Sequence, residues 1–194
     1  MDHDDMNIDD GSIVQTALKA VKKYGACNSK VWPNDKPFNK KPSKEAYENG
    51  LKGHEITKYY AVKTLLQVKK ALASGYPVAT SMLWPFRLAD RENWILSNPT
   101  KSEIKNCHSG HAIIIVGYDD TVSRELFASD HKPIRDGAYI VLNSYGESAF
   151  ENGILYVSYE DYYVEMETYG IQSTVKSDYD NIYQTDYYGG IYQL

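Results

Sequence analysis

The chain has 194 residues, 42% of them hydrophobic and 24% charged, with a formal net charge of −5. That length allows one domain or two small lobes with a real core, and the near-average composition argues against disorder. The acidic balance without a Lys/Arg-rich face argues against a nucleic-acid partner, and no apolar run approaches the ~20 residues of a membrane helix.

The first residues, Met1-Asp2-His3-Asp4-Asp5, are acidic and lack an apolar stretch, so they do not read as a signal peptide and the compartment stays open. Ser12 to Tyr24 reads as an amphipathic helix, with Ser12 as N-cap, Ile13, Ala17, Leu18 and Val21 on one face, and Gly25 as the stop. Residues 34 to 53 read as a loop with a short helix around Ser43 to Asn49. Thr64 to Ser74 is a second helix, ended by Gly75 and Pro77, and Pro77 to Leu83 is a strand. Arg87 to Ser109 is polar and reads as a long irregular loop.

Strands are then expected at Ala112–Tyr118, Ala138–Leu142 and Ile154–Ser158, forming an antiparallel body. Asp119 to Gly137 is longer than most hairpin loops and reads as an insertion. Of the 18 tyrosines, nine fall between Tyr156 and Tyr188. They read as a wet β-surface, with rings buried and hydroxyls in water.

Two segments carry the chemistry. Gly110-His111-Ala112-Ile113-Ile114-Ile115-Val116-Gly117-Tyr118 places His111 at the head of an apolar strand. Tyr139-Ile140-Val141-Leu142-Asn143-Ser144-Tyr145-Gly146 places Asn143 at the end of another. Held on neighbouring strands, an Asn amide oxygen can accept one imidazole N–H and leave the other nitrogen to take a proton. That is two thirds of a thiol-nucleophile site.

Neither cysteine completes it. Cys27 follows the Gly25 helix stop, at the end of the dipole that disfavours a thiolate. Cys107 is four residues before His111, about 13 Å on an extended segment. The cluster Cys107-His108-x-x-His111 has no second group of ligands and is read as a loop thiol beside a His, with no metal.

At these motifs the chain resembles the C-terminal portion of a papain-like cysteine peptidase, closest to bacterial and archaeal members. In that family a His opens a strand H-A-x-x-x-V-G-Y, and an Asn stands in N-S-W-G-x-x-W-G-x-x-G. Here the second motif reads Asn143-Ser144-Tyr145-Gly146-Glu147-Ser148-Ala149-Phe150-Glu151-Asn152-Gly153, so Tyr145 replaces a Trp and Ala149-Phe150 replaces Trp-Gly. Asp9-Asp10-Gly11-Ser12 and Ala17 to Cys27 resemble the helix and turn that follow the nucleophile helix, and Val31-Trp32-Pro33 stands where those members carry Trp-Pro-Tyr.

The resemblance implies an α+β, papain-like fold with a nearly complete antiparallel β half-barrel lobe and a truncated helical lobe. The expected division is residues 1–75 for the helical remnant, 76–175 for the β lobe and 176–194 for a Tyr-rich extension. It implies His111 as general base, Asn143 as the residue that orients it, and Tyr145 as a supporting shield smaller than the usual Trp. Gly11 and Gly110 would lie against a peptide or protein substrate. No cofactor is implied.

The family's oxyanion Gln and C-x-x-C-W nucleophile helix have no counterpart in this sequence. The implied function is therefore cysteine-type peptidase by lineage, inactive alone, with Gln and Cys supplied by an N-terminal segment. The alternative is a non-catalytic, papain-derived peptide-binding module. A chain without the central helix should also uncover apolar surface, and so be marginally stable or self-associate.

Overall fold

A computed structural model describes residues 11–52, 55–84, 88–90, 94–96, 100–106, 110–127, 132–159 and 168–173. The chain divides into two compact units, Met1–Tyr59 with Gln172–Lys176, and Tyr60–Ile171 with Ser177–Leu194.

The first unit contains α1 (Val14–Tyr24) and α2 (Lys44–Gly50). Ser12 does not cap α1. The N-cap is Ile13, which makes no side-chain cap bond, and the buried positions are Val14 and Leu18 while Ile13 lies outside. Gly25 ends α1 as expected, in the left-handed region at φ +70°, where Gly pays no Cβ penalty. Its backbone is pressed so closely against Gly50 that a Cβ on Gly25 would stand 1.9 Å from the Gly50 oxygen. Ser43 caps α2 by accepting from the Ala46 N–H.

β1 (Ile56–Ala61) spans the division between the units and, like β8 (Thr168–Ser173), falls where no strand was expected. The second unit holds α3 (Leu65–Ala73), β2 (Val78–Leu83), β3 (Leu88–Asp90), β4 (Ile95–Leu96), α4 (Lys101–Asn106), β5 (Gly110–Asp119), β6 (Ala138–Leu142) and β7 (Ile154–Ser158). Arg87 to Ser109 is therefore not one irregular loop: it carries two short strands and a helical turn. No apolar run announces them, because β4 is only two residues long and gains its place by a parallel pairing of Ile95 with Tyr156.

The strands of this unit, with the first residues of β8, follow the order β8-β2-β5-β6-β7-β4-β3. The three longest pairings, β2 with β5, β5 with β6 and β6 with β7, are antiparallel. The continuous apolar runs are explained by burial on two faces. On one face Val78, Met82, Ile113, Ile115, Val141, Leu155 and Val157 pack with Val68 and Leu72 of α3. On the other, Phe127 of the β5–β6 connection packs with Ile95 and Ala138. A bulge between Ile115 and Gly117 shifts the alternation, so that Tyr118 joins the first cluster.

The β5–β6 connection is ordered over its described residues by a 3-10 turn, Arg124–Leu126, capped by Ser123. It closes through Gly137 N–H to Val122 O at 2.7 Å. Among the described residues no helix is long and apolar enough to cross a membrane.

Candidate active site

β5 pairs antiparallel with β2, which sets His111 opposite Met82, and pairs on its other side with β6 through Ile114 and Leu142. One step further along that register, Asn143 leaves β6 opposite Ile113 and diagonal to His111. On a strand, residues 111, 113 and 115 share one face. His111 is thus the last residue of the row that begins in the core with Ile115 and Ile113, both 5% exposed.

The His111 Nε2 and Asn143 Oδ1 atoms are 2.7 Å apart. The same Oδ1 accepts the Ser144 backbone N–H at 2.8 Å. A backbone N–H can only donate, so the amide atom facing it must be the oxygen, and His111 Nε2 must carry the proton it shares. Nδ1 is then the basic nitrogen. The amide nitrogen of Asn143 is buried and has no hydrogen-bond partner among the described residues. An orphaned buried donor costs about 1–3 kcal/mol. What this position gains in return is the oxygen that fixes the His111 tautomer.

Asn143 is held by the β6–β7 connection, whose two ends meet at Asn143 N–H to Gly153 O, 2.9 Å. The turn between them requires left-handed backbone at Gly146 (φ +87°) and Gly153 (φ +82°), and also at Phe150 (φ +58°) and Asn152 (φ +53°). Phe150 is the residue that replaces a glycine of the family motif. It keeps the glycine conformation at a cost of about 1–2 kcal/mol, offset by ring contacts at 6.2 Å to Tyr145 and 5.9 Å to Trp94.

Tyr145 sits 5.3 Å from the His111 ring and is 50% exposed. A closer aromatic neighbour is Trp84, which sequence reasoning missed, at 4.4 Å from the imidazole with planes inclined at 49°. The signal was available: Trp84 lies two residues past Met82, so an antiparallel β2–β5 pairing carries it along the His111 face.

Gly110 is the exposed first residue of β5, opposite Leu83. Gly11 belongs to the other unit, at φ +76° with open space where a Cβ would stand. Cys27, half-buried, donates weakly to the Asn28 carbonyl at 3.4 Å and follows the C-terminus of α1, as the sequence indicated. Cys107 and His108 lie outside the described residues, as does the Tyr-rich segment after Asp178.

Comparison with known proteins agrees with this geometry. The model of the Peptidase C39 like family matches residues 7–167. An uncharacterised peptidase C1-like protein of Acanthamoeba polyphaga mimivirus is 27% identical over 168 residues, covering 78% of this chain and 48% of the relative. The clostridial cysteine protease Cwp84, of Clostridium difficile, superposes with a TM-score of 0.67 at 25% identity, covering 87% of this chain and 42% of that one. Xylellain, a cysteine protease from Xylella fastidiosa, has a TM-score of 0.65 at 22% identity, covering 89% of this chain and 66% of its own. The chain thus spans about half the length of the curated relative and less than two thirds of either structure. With the α+β sheet and the His-headed strand beside the Asn turn, these matches place the chain in the peptidase C39-like family, with the fold of the papain-like cysteine peptidases.

Proposed function

We propose that the chain supplies the general base of a papain-like cysteine peptidase, with His111 as base and Asn143 as its orienting residue. The observation that carries this reading is the shared Asn143 Oδ1, which holds Nε2 of His111 protonated and leaves Nδ1 basic. In the reaction Nδ1 takes the thiol proton, giving a thiolate–imidazolium pair. The thiolate attacks the peptide carbonyl, and His111 returns the proton to the leaving amine. Water then repeats the sequence on the acyl-enzyme.

The thiol and the oxyanion Gln come, in this reading, from an N-terminal segment outside these residues, and the chain alone does not hydrolyse peptides. Two facts support that. The chain spans 48% of its curated relative, and Cys27 follows a helix C-terminus, where the dipole opposes a thiolate. Substrates are peptides or proteins, with Gly110 as the backbone-approach position beside His111.

An electrophilic peptide, an epoxide or vinyl sulfone, tests the proposal. It should label neither cysteine of this chain alone. Mixed with a segment bearing Gln and C-x-x-C-W, the added cysteine should be labelled, and His111→Ala should abolish that labelling. Labelling of Cys27 or Cys107 in the chain alone, lost in His111→Ala, would show a rearranged peptidase. Peptide binding without labelling in either mixture would favour the binding-module reading.

A further inference from the structure

The His111–Asn143 hydrogen bond is buried on the Asn143 side, where the residue is 7% exposed. A hydrogen bond of this kind holds an imidazole only while water cannot compete for its partners. Tyr145, directly after Ser144, covers it incompletely, since half of its surface faces solvent. Something else must close the remaining side.

Among the described residues Trp84 is the aromatic ring nearest to His111, at 4.4 Å, nearer than Tyr145 at 5.3 Å. Trp84 and Tyr145 are 6.3 Å apart and meet edge to face at 87°. These three separations form a compact triangle, so the two rings cover adjacent sides of the imidazole and support each other; they do not sandwich it. Trp84 is also anchored where Tyr145 is not. It packs against the core cluster that contains Met82 and Ile113, and it extends from β2, whose register with β5 is continuous from Val78 to Leu83.

We propose that Trp84 is a positioning residue for His111: its ring, fixed by β2, excludes water from the Nε2–H···Oδ1 bond on the side that Tyr145 leaves open. This rests on the reading of His111 as a general base, because a fixed tautomer matters only if Nδ1 is used. The sequence motif places the shield on the turn after Asn143. Here the nearer ring comes from the neighbouring strand.

The test reads the bond itself and needs no thiol. In the isotopically labelled full chain, exchange of the His111 Nε2–H proton with water is measured by NMR. The unsubstituted chain should show a protected resonance. Trp84→Leu, which keeps apolar bulk and removes the ring, should speed exchange by about tenfold or more, while Trp84→Phe should stay within about threefold. Tyr145→Leu should have the smaller effect.

Equal exchange in Trp84→Leu and the unsubstituted chain would overturn the proposal, as would an unprotected resonance in the unsubstituted chain. If Trp84→Leu fails to fold, Trp84→Met and Tyr145→Leu, each without its ring, still rank the two rings, and a larger effect of Tyr145→Leu would overturn it. Failure of the reconstituted peptidase would sink the functional reading without altering the exchange result, so the two failures are separable.

Discussion

Asn143 presents one oxygen to two donors and buries its own amide nitrogen without a partner among the described residues. For folding alone an apolar side chain would cost little at this position, because it removes the orphan amide nitrogen while the two donors it deprives, on exposed Ser144 and half-buried His111, can turn to water. Stability and chemistry should therefore separate here. Asn143→Ala is expected to change unfolding free energy by less than about 1 kcal/mol, since the lost contact and the removed orphan offset each other. In the reconstituted enzyme the same substitution should lower kcat/KM by about 10- to 100-fold, and His111→Ala by about 10²- to 10⁴-fold. Denaturant titration and peptide hydrolysis check the two halves. A large stability loss in Asn143→Ala would mean that the residue is structural.

Phe150 presents the opposite balance. A non-glycine residue at φ +58° is strained, and Phe150→Gly relieves that by about 1–2 kcal/mol. The substitution also removes two aromatic contacts, each worth about 0.5–1.5 kcal/mol, along with the half-buried ring surface. The losses are larger, so Phe150→Gly should destabilise by about 1 kcal/mol or more, as a lowered denaturation midpoint would show. A gain in stability would show that the aromatic row Tyr145–Phe150–Trp94 contributes little.

At the scale of elements, the pairings that hold the site were legible because they depend on local pattern. β6 and β7 match their expected bounds, and β5 extends its expectation by two residues at the start and one at the end. Each is a β-branched run stopped by a polar or glycine residue. The His-headed strand and the Asn turn were legible for the same reason, and their meeting follows from register once the strands are neighbours.

What was not legible is what comes from pairing partners. β1, β3, β4 and β8 are short or polar and owe their existence to edges offered by other strands. Trp84 was missed as a site residue because its spacing from Met82 becomes informative only once β2 is paired with β5, and it lies 27 positions from His111 in sequence. Ser12 looked like a cap on composition, but α1 begins one residue later than a Ser12 cap requires.

Gly137, just before β6, tests how tightly these elements fit. A Cβ there would stand 2.1 Å from Cε2 of Tyr159, and its φ is +104°. Gly137→Ala must therefore move the Tyr159 ring, which stacks edge-on to Tyr139 at 4.9 Å. A loss of about 2–4 kcal/mol is expected, from overpacking and backbone strain together, read from chemical denaturation. An unchanged midpoint would mean that the ring yields freely.

Over the larger unit, α3 is held to the sheet both by its apolar face and by a polar clamp from its middle turn. Lys69 of α3 pairs with Asp120, which also accepts the Tyr159 hydroxyl at 2.8 Å, and the Lys69 ammonium lies over the Tyr159 and Tyr118 rings at 4.5 and 5.0 Å. Burial pushes the Asp120 carboxyl up, but the hydrogen bonds from Lys69 and Tyr159 and the Lys69 charge outweigh it and hold it below the usual carboxylate range. Burial, reinforced by Asp120, pushes the Tyr159 phenol well above its ordinary value, so it stays a donor.

A carboxyl held low in the folded state stabilises fully above its unfolded value, near pH 4. That contribution is lost as pH falls through the lower folded value. Asp120→Asn should therefore lower the melting temperature modestly at pH 7, and the deficit should shrink as the pH is lowered through and below 4. The Asp120 side chain is 60% exposed, so the effect is small, as for other solvated pairs. A deficit that does not depend on pH would assign the loss to packing.

In the proposed function His111, oriented by Asn143, is a base waiting for a thiol. The most direct measurement is peptide hydrolysis by this chain combined with a segment bearing Gln and C-x-x-C-W, compared with each component alone and with His111→Ala. Activity only in the combination, lost with His111→Ala, is the predicted result. Activity of the combination that survives His111→Ala would contradict the account.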